Sequence, residues 1–234
     1  MNTAKIIAVT EPLLTTNGNV INDPDNQTRM GVDAFIAYVA RVSNPSNQNN
    51  SQTASKLLKY LAKNSHWSPF EMVNVVMEIN TTRDIARQLL RHKSFSFQEF
   101  SQRYADPTSD LGFSTREVRL QDLTNRQNSN STLDEGLKLY WDNIQKEMIT
   151  KATEAYTKAI AMGIAKEQAR AVLPEGLTNS RLYMNGTMRS WLHWTMVRSK
   201  KAGAQAEHTE IVMSATTALL NYFPSLSMLF ETEQ

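Results

Sequence analysis

Short apolar runs alternate along the chain with long polar stretches, and the two kinds of segment predict its elements. Residues 5–9 (Lys5-Ile6-Ile7-Ala8-Val9) are an apolar run that predicts a strand. Asn17-Gly18-Asn19 and Asp23-Pro24-Asp25 then signal turns. Phe35, Val39 and Val42 recur at helical spacing and predict a helix over 32–42. Residues 44–53 are nearly all Asn, Gln and Ser, which predicts an exposed, mobile loop. Leu57, Leu58 and Leu61 mark a second helix over 54–63. Val73, Val75, Met77 and Ile79 alternate, so 72–81 predicts a strand, and Thr82 is placed to cap a short helix over 82–90. Residues 106–132 are polar and turn-rich and predict an irregular excursion. Residues 133–164 predict one long helix ended by Gly163. Its stripe of Leu137, Tyr140, Trp141, Ile144, Met148, Ala152, Ala155, Tyr156 and Ala159 is assigned to the core. A short helix over 166–173 stops at Pro174, and helices over 187–200 and 205–223 complete the chain.

Strands among many helices make this an α+β chain, and 234 residues can bury a core of their own. Residues 1–234 are read as a single domain. The 25 Lys+Arg nearly balance 23 Asp+Glu, which argues against a general nucleic-acid binder. No apolar run approaches membrane-spanning length, and the first residues lack a signal-peptide pattern, so a cytoplasmic protein is expected. There is no cysteine, which excludes disulfides, thiolate zinc sites and a cysteine nucleophile; no metal site is assigned.

The densest chemistry lies between Arg91 and Tyr104, Arg-His-Lys-Ser-Phe-Ser-Phe-Gln-Glu-Phe-Ser-Gln-Arg-Tyr. If the chain is extended from Phe95 onward, Glu99, Ser101 and Arg103 share one face, about 6–7 Å from one to the next. They would form a polar receptor with an acceptor, a two-way group and a forked donor. The plain alternative is a half-buried edge strand with a solvated face. Upstream, Gln88 and Arg91 share a helical face. Arg83, Arg87 and Arg91, four apart, repel unless they meet anions. Arg91 is assigned to a phosphate, and Arg83 and Arg87 to structure. Arg189 and His193 are neighbours on a later helix. Taken alone, His66 reads as a surface or capping histidine and Arg170 as a surface arginine.

The order Arg91-His92-Lys93, then Ser96, Glu99, Ser101 and Arg103-Tyr104, resembles the signature of the flavin-dependent thymidylate synthases, R-H-R-x-x-S-x-N-E-x-S-x-R-Y. Lys93 replaces the second arginine and Gln98 the asparagine. Further segments resemble the family in the same order: Ala40-Arg41-Val42-Ser43, His66-Trp67-Ser68-Pro69-Phe70-Glu71 and Ala169-Arg170 through Leu173-Pro174. Arg189-Ser190, Arg198 and Ala204-Gln205-Ala206-Glu207 follow. Met72 stands where the family has a second histidine, and Thr187 where it has an asparagine. No glycine-rich phosphate loop or GxGxxG fingerprint occurs, so a flavin must be held by side chains and helix ends.

The resemblance implies helices around a small, mostly antiparallel sheet. It implies transfer of a one-carbon unit from methylenetetrahydrofolate to C5 of dUMP, with FAD, reduced by NADPH, supplying the hydride. By the same resemblance, Gln88, Arg91, Glu99, Ser101, Arg103 and Arg170 bind dUMP, and Arg198 both binds and activates the uracil. His66, Ser68, Arg91, His92, Lys93, Glu99, Arg189 and His193 face flavin or folate, in a homotetramer whose flavin lies at subunit interfaces. Two alternatives remain at this point. One is a related flavoenzyme that hydroxymethylates or otherwise modifies a pyrimidine nucleotide. The other is a non-enzymatic nucleotide- or RNA-binding protein using the Arg91–Arg103 patch and its phenylalanines.

Overall fold

The computed structural model describes residues 2–22, 28–199 and 203–227. The Asp23-Pro24-Asp25 turn and the end of the helix expected at residue 200 lie outside them. The strands are β1 (Thr3–Val9), β2 (Asn74–Thr82), β3 (Phe95–Glu99), β4 (Arg119–Gln121), β5 (Ser129–Ser131) and β6 (Asn179–Thr187). The main sheet has the order β1-β2-β6-β3 with every pairing antiparallel. β4 and β5 make a separate ribbon.

The helices are α1 (Val32–Ala40), α2 (Ala54–Lys63), α3 (Arg83–Leu89), α4 (Pro107–Asp110), α5 (Glu135–Ala161), α6 (Lys166–Ala169), α7 (Met188–Val197) and α8 (Ala206–Tyr222). The buried residues of α1, α2, α3, α7 and α8 meet the sheet in one core, while those of α5 and α6 form a separate small cluster. Val75, Met77 and Ile79 of β2 stand opposite Gly186, Met184 and Leu182 of β6. Over them lie Ile36, Leu58, Trp191, Trp194, Ile211 and Leu219. Alternation explains this face, because successive side chains of a strand point to opposite sides. On the other face Tyr183, Asn185, Ser96 and Gln98 are exposed. The Trp191 indole N–H donates to the Val75 carbonyl at 3.0 Å, which ties α7 to β2.

Four expectations from the pattern change. β6 is a central strand that the apolar pattern did not signal, because its inward positions include Ser180 and Gly186. Residues 44–53 are largely exposed as expected, but they are not without regular structure. They form 3-10 turns at Pro45–Asn47 and Ser51–Thr53, and buried Arg41 donates to the Asn50 carbonyl and, at 2.8 Å, to the Thr53 hydroxyl. Thr82 occupies the N-cap of α3, but its hydroxyl donates to Asp84 and caps no amide.

The largest change concerns α5. Only Ala152 and Tyr156 of its expected core stripe are buried, while Tyr140 is 65 % and Met148 48 % exposed. The helix meets its own chain near its C-terminal end, where Ala152 and Tyr156 pack with Ala169 and Leu173. Leu137 and Ile144 are half-buried and Ala159 packs against that cluster, while Tyr140, Trp141, Met148 and Ala155 stay exposed. Gly163 does end α5: at φ +80° it sits in the left-handed region. Its N–H reaches the Ile160 carbonyl and that of Ile164 the Ala159 carbonyl.

Candidate active site

The extended receptor expected from Glu99 to Arg103 does not form. β3 ends at Glu99. The Phe100 N–H still bonds the Arg181 carbonyl, but the chain then turns. The Ser101 carbonyl accepts the Tyr104 and Ala105 amides, and its hydroxyl accepts the Arg103 amide at 3.4 Å. A serine that bonds the backbone two residues on favours a turn over a strand. Glu99 faces the helices instead, 3.5 Å from the buried Arg83, and accepts the Ser180 hydroxyl at 2.8 Å. Burial works to lower the Arg83 guanidinium and the Glu99 charge to raise it; the net shift is downward.

The turn at Ser101 delivers Arg103 and Tyr104 to α6. Arg103 lies 3.3 Å from Glu167, Lys166 donates to the Tyr104 carbonyl at 3.0 Å, and Arg170 donates to the Glu167 carbonyl. Arg83, Arg87, Gln102, Arg170 and Glu175 line a cavity of about 330 Å³ beside it. Gln102 is 4 % exposed, and its Nε2 has no partner among the described residues. Three guanidiniums and an unsatisfied amide donor, partly offset by Glu175 and by the Glu99 that pairs with Arg83, suit an anion. Arg83 and Arg87, assigned to structure, do pair with Glu99 and Glu175 and in addition line this cavity; Gln102 was not among the candidates. The four-residue repeat of Arg83 and Arg87 was the available signal, whereas Gln102 carried none.

A second group gathers at the other end of α3. Beyond Leu89 the His92 N–H bonds the Leu89 carbonyl, and the chain turns into β3. Arg198, at the C-cap of α7, donates through Nε to His92 Nε2 at 3.0 Å. His92 is therefore neutral and protonated on Nδ1. Burial first, then Arg198, Arg91 and His193, push it down to about 4. His208 of α8 lies edge-on to His92, with ring centres 6.2 Å apart, and its Nδ1 meets Gln88 Oε1 at 3.2 Å. Gln205 and Glu207 continue this network. His208, Gln205 and Glu207 were not candidate site residues.

The third group lines a cavity of about 570 Å³: Trp67, Glu71, Ser94, Thr187, Arg189, Ser190, His193 and Met196. The four-residue spacing on α7 brings Arg189 and His193 to it together. Arg189 pairs with Glu71 of the 3-10 turn Ser68–Met72, and Thr187 accepts the Ser190 amide and reaches Glu71 at 3.3 Å. His66, Ser68 and Lys93 are exposed and do not line this cavity; the His66 ring lies edge-on to Tyr60, with ring centres 6.2 Å apart. The cavity offers an aromatic wall, a thioether, a guanidinium and an imidazole, which suits a flat heteroaromatic group with polar edges.

A family model described as thymidylate synthase complementing protein matches residues 27–225. A flavin-dependent thymidylate synthase of Synechocystis is 41% identical over 227 residues, covering 97% of this chain and 98% of that protein. The chain belongs to the flavin-dependent thymidylate synthases. A probable member from Paramecium bursaria Chlorella virus 1 is also 41% identical, covering 96% of each chain. Among solved structures, the UMP/dUMP methylase PolB of Streptomyces cacaoi, bound with 5-Br dUMP, shares the fold. Its TM-score is 0.77 at 22% identity, over 99% of this chain and 95% of that one.

Within this family the departures of the sequence have places. Thr187, in the asparagine position, caps α7 through its hydroxyl. Gln98 is exposed on the outer face of β3, and Met72, in the histidine position, is 51% exposed at the end of its 3-10 turn. Among the described residues no helix is long and apolar enough to cross a membrane.

Proposed function

We propose that this chain methylates dUMP at C5, with methylenetetrahydrofolate as one-carbon donor. The observation that carries the reading is Arg198. Its guanidinium is held through Nε by neutral His92, and its two Nη groups, which make no hydrogen bond among the described residues, are left for a ligand. With no cysteine in the chain, C5 must become nucleophilic without a covalent thiol adduct. A fixed cation near N3 and O4 favours the ionised ring and moves electron density toward C5, from which the bond to the one-carbon unit forms.

The other residues take positions around that step. The anion cavity of Arg83, Arg87, Arg170 and Gln102 suits the nucleotide phosphate, with Arg103 beside it. Arg91 and Gln88 sit at the ring end. Glu99 and Ser101 act one step back: Glu99 balances Arg83, and Ser101 shapes the turn that carries Gln102 and Arg103. The large cavity with Arg189 and His193 suits FAD, and His66, Ser68, His92 and Lys93, which do not line it, are assigned to parts of the flavin or folate that extend beyond it. When bound, FAD supplies the hydride that completes the methyl group, with NADPH as reductant. Glu71 holds the Arg189 guanidinium in one place, and Trp67 and Met196 keep water from that wall.

The uncovered stripe of α5, with Tyr140 and Met148, and the exposed sheet face at Tyr183 support a homotetramer in which other copies bury them. The whole chain acts as one domain in this reading, and its substrates place it in the cytoplasm. Incubation with dUMP, methylenetetrahydrofolate and NADPH should give dTMP, identified by mass. Hydroxymethylated nucleotide would favour the related flavoenzyme reading, and unchanged dUMP would refute both.

A further inference from the structure

Behind the nucleotide end of α3 runs a line of polar groups in which each one fixes the next. Glu207 is 6 % exposed and paired with Arg119 of β4. Burial works to raise its carboxyl, but the bonds from Arg119, its own amide and Gln205 outweigh this and hold it low. An ionised carboxylate can only accept. Gln205 must therefore turn its Nε2 toward Glu207, where it stands at 2.9 Å. That leaves Gln205 Oε1 facing Gln88, and Gln88 Nε2 donates to it at 2.8 Å. Gln88 Oε1 then faces His208 Nδ1 at 3.2 Å, so Nδ1 must carry the proton. His208 Nε2 is left bare, buried and without a partner among the described residues.

We infer that Glu207 is a positioning residue that, through Gln205, sets the amide sense of Gln88 and thereby makes the site discriminate uracil from cytosine. The consequence for specificity rests on the assignment of Gln88 to the pyrimidine. Gln88 is half-buried and keeps one N–H and one lone pair for a ligand. At ring position 4 uracil presents a carbonyl and cytosine an amino group. With Nε2 set at ring position 4, the remaining N–H of Gln88 suits the carbonyl and opposes the amino group, donor against donor, and the spare lone pair on its oxygen is not the group that meets it. The amide could satisfy cytosine only by turning over, and the relay forbids that by setting Gln205 Oε1 against Gln88 Nε2. His208 closes the far end: being neutral, it can match either sense of Gln88 by changing tautomer, so the direction comes from Glu207.

The test has two arms. In the first, nitrogen NMR of the histidines in the nucleotide-free protein reads which ring nitrogen of His208 is protonated; it should be Nδ1. In Glu207→Gln an amide that can donate or accept replaces the carboxylate, so a population protonated on Nε2 should appear. In the second, equilibrium binding of dUMP and of dCMP to the FAD-loaded protein is compared. The preference for dUMP should fall at least about tenfold in Glu207→Gln, the loss expected when one donor–donor clash is relieved. Affinity for dCMP should rise in absolute terms, which general damage would not produce. Gln205→Leu leaves Glu207 and Arg119 paired but frees Gln88, and should weaken the preference likewise if Glu207→Gln does not fold. Protonation of parent His208 on Nε2, or a parent-like preference in the folded variants, would overturn the inference. A parent that binds neither nucleotide would refute the methylation reading and with it the specificity role, while the His208 signal still judges the relay.

Discussion

Mild acid should destabilise this protein through His208 before most of its carboxylates titrate. The side chain is wholly buried. Burial first, then Arg198, His92 and Arg91, push its imidazole from 6.5 down to about 3. Because the folded value lies below the unfolded one, the contribution of neutral His208 is complete above pH 6.5. It is lost as the pH falls toward 3, where the unfolded chain binds a proton that the folded chain refuses. Between about pH 7.5 and pH 5, a group that titrates near 6.5 only when unfolded withdraws about 2 kcal/mol. That is a large part of a stability of roughly 5–15 kcal/mol. His92, held down to about 4, works in the same direction, with its share reduced by solvent screening at a half-buried position.

The assay is urea unfolding at these two pH values and one protein concentration, for the parent and for His208→Asn. The asparagine amide retains a donor toward Gln88 Oε1 but does not titrate. The variant should be less stable at both pH values because of the space it leaves, yet lose about 2 kcal/mol less than the parent on acidification. Equal losses in parent and variant would refute the reasoning, and the acid sensitivity would have to be sought among the carboxylates.

Three further perturbations test other parts of the structure. Arg198→Ala should keep FAD bound, by absorbance titration, but slow methyl transfer at least ~100-fold, the loss typical of removing one preorganised electrostatic group; raising the pH should restore part of the rate as solvent base ionises the ring. Gly186→Ala places a methyl 2.6 Å from Phe95 Cε1 and closer still to Cδ1; thermal unfolding should show a loss of about 1–3 kcal/mol, the usual cost of overpacking. Ser65 has φ 58° at the end of α2, so Ser65→Gly should raise the denaturant midpoint, by up to about 1 kcal/mol in stability, because glycine meets no Cβ penalty there.

The helices were legible wherever their buried faces were apolar and their ends carried stop signals. α2 runs over the predicted span, and Pro174, Gly163 and Pro224 end elements where expected. β6 was not legible, since a strand buried through Ser180 and Gly186 lacks the apolar alternation that announces one. The exposed stripe of α5 shows the opposite failure. Its period of hydrophobic residues says that a face is to be buried, and nothing in a period says by which chain. At the site, the resemblance named Arg170, Arg189, His193 and Arg198, which take part in the three groups described, but it could not show that the chain turns at Ser101. The relay was invisible for a different reason: Gln88, Gln205, Glu207 and His208 acquire their meaning only from which atom faces which.

α3 explains how separate parts serve one small substrate. Arg83 and Arg87 of α3 line the cavity while Gln88, one residue on, reaches the cluster around His208 and Arg198, so one short rod serves both places. The rod is fixed at its start, where the Arg83 N–H bonds the Thr178 carbonyl and Arg116 holds Asp84 at 2.5 Å. At its end, Gln88 is tied to α8 through both Gln205 and His208. A row of arginines at four-residue spacing is costly unless each has an anion. Arg83 has Glu99, Arg87 reaches Glu175 at 3.5 Å, and exposed Arg91 has no carboxylate partner among the described residues, which fits the ligand role proposed for it. Catalysis by a field, without a covalent adduct, works only if the charges are already in position when the ring arrives. That requirement is the physical reason for so many buried polar partners around one seven-residue helix.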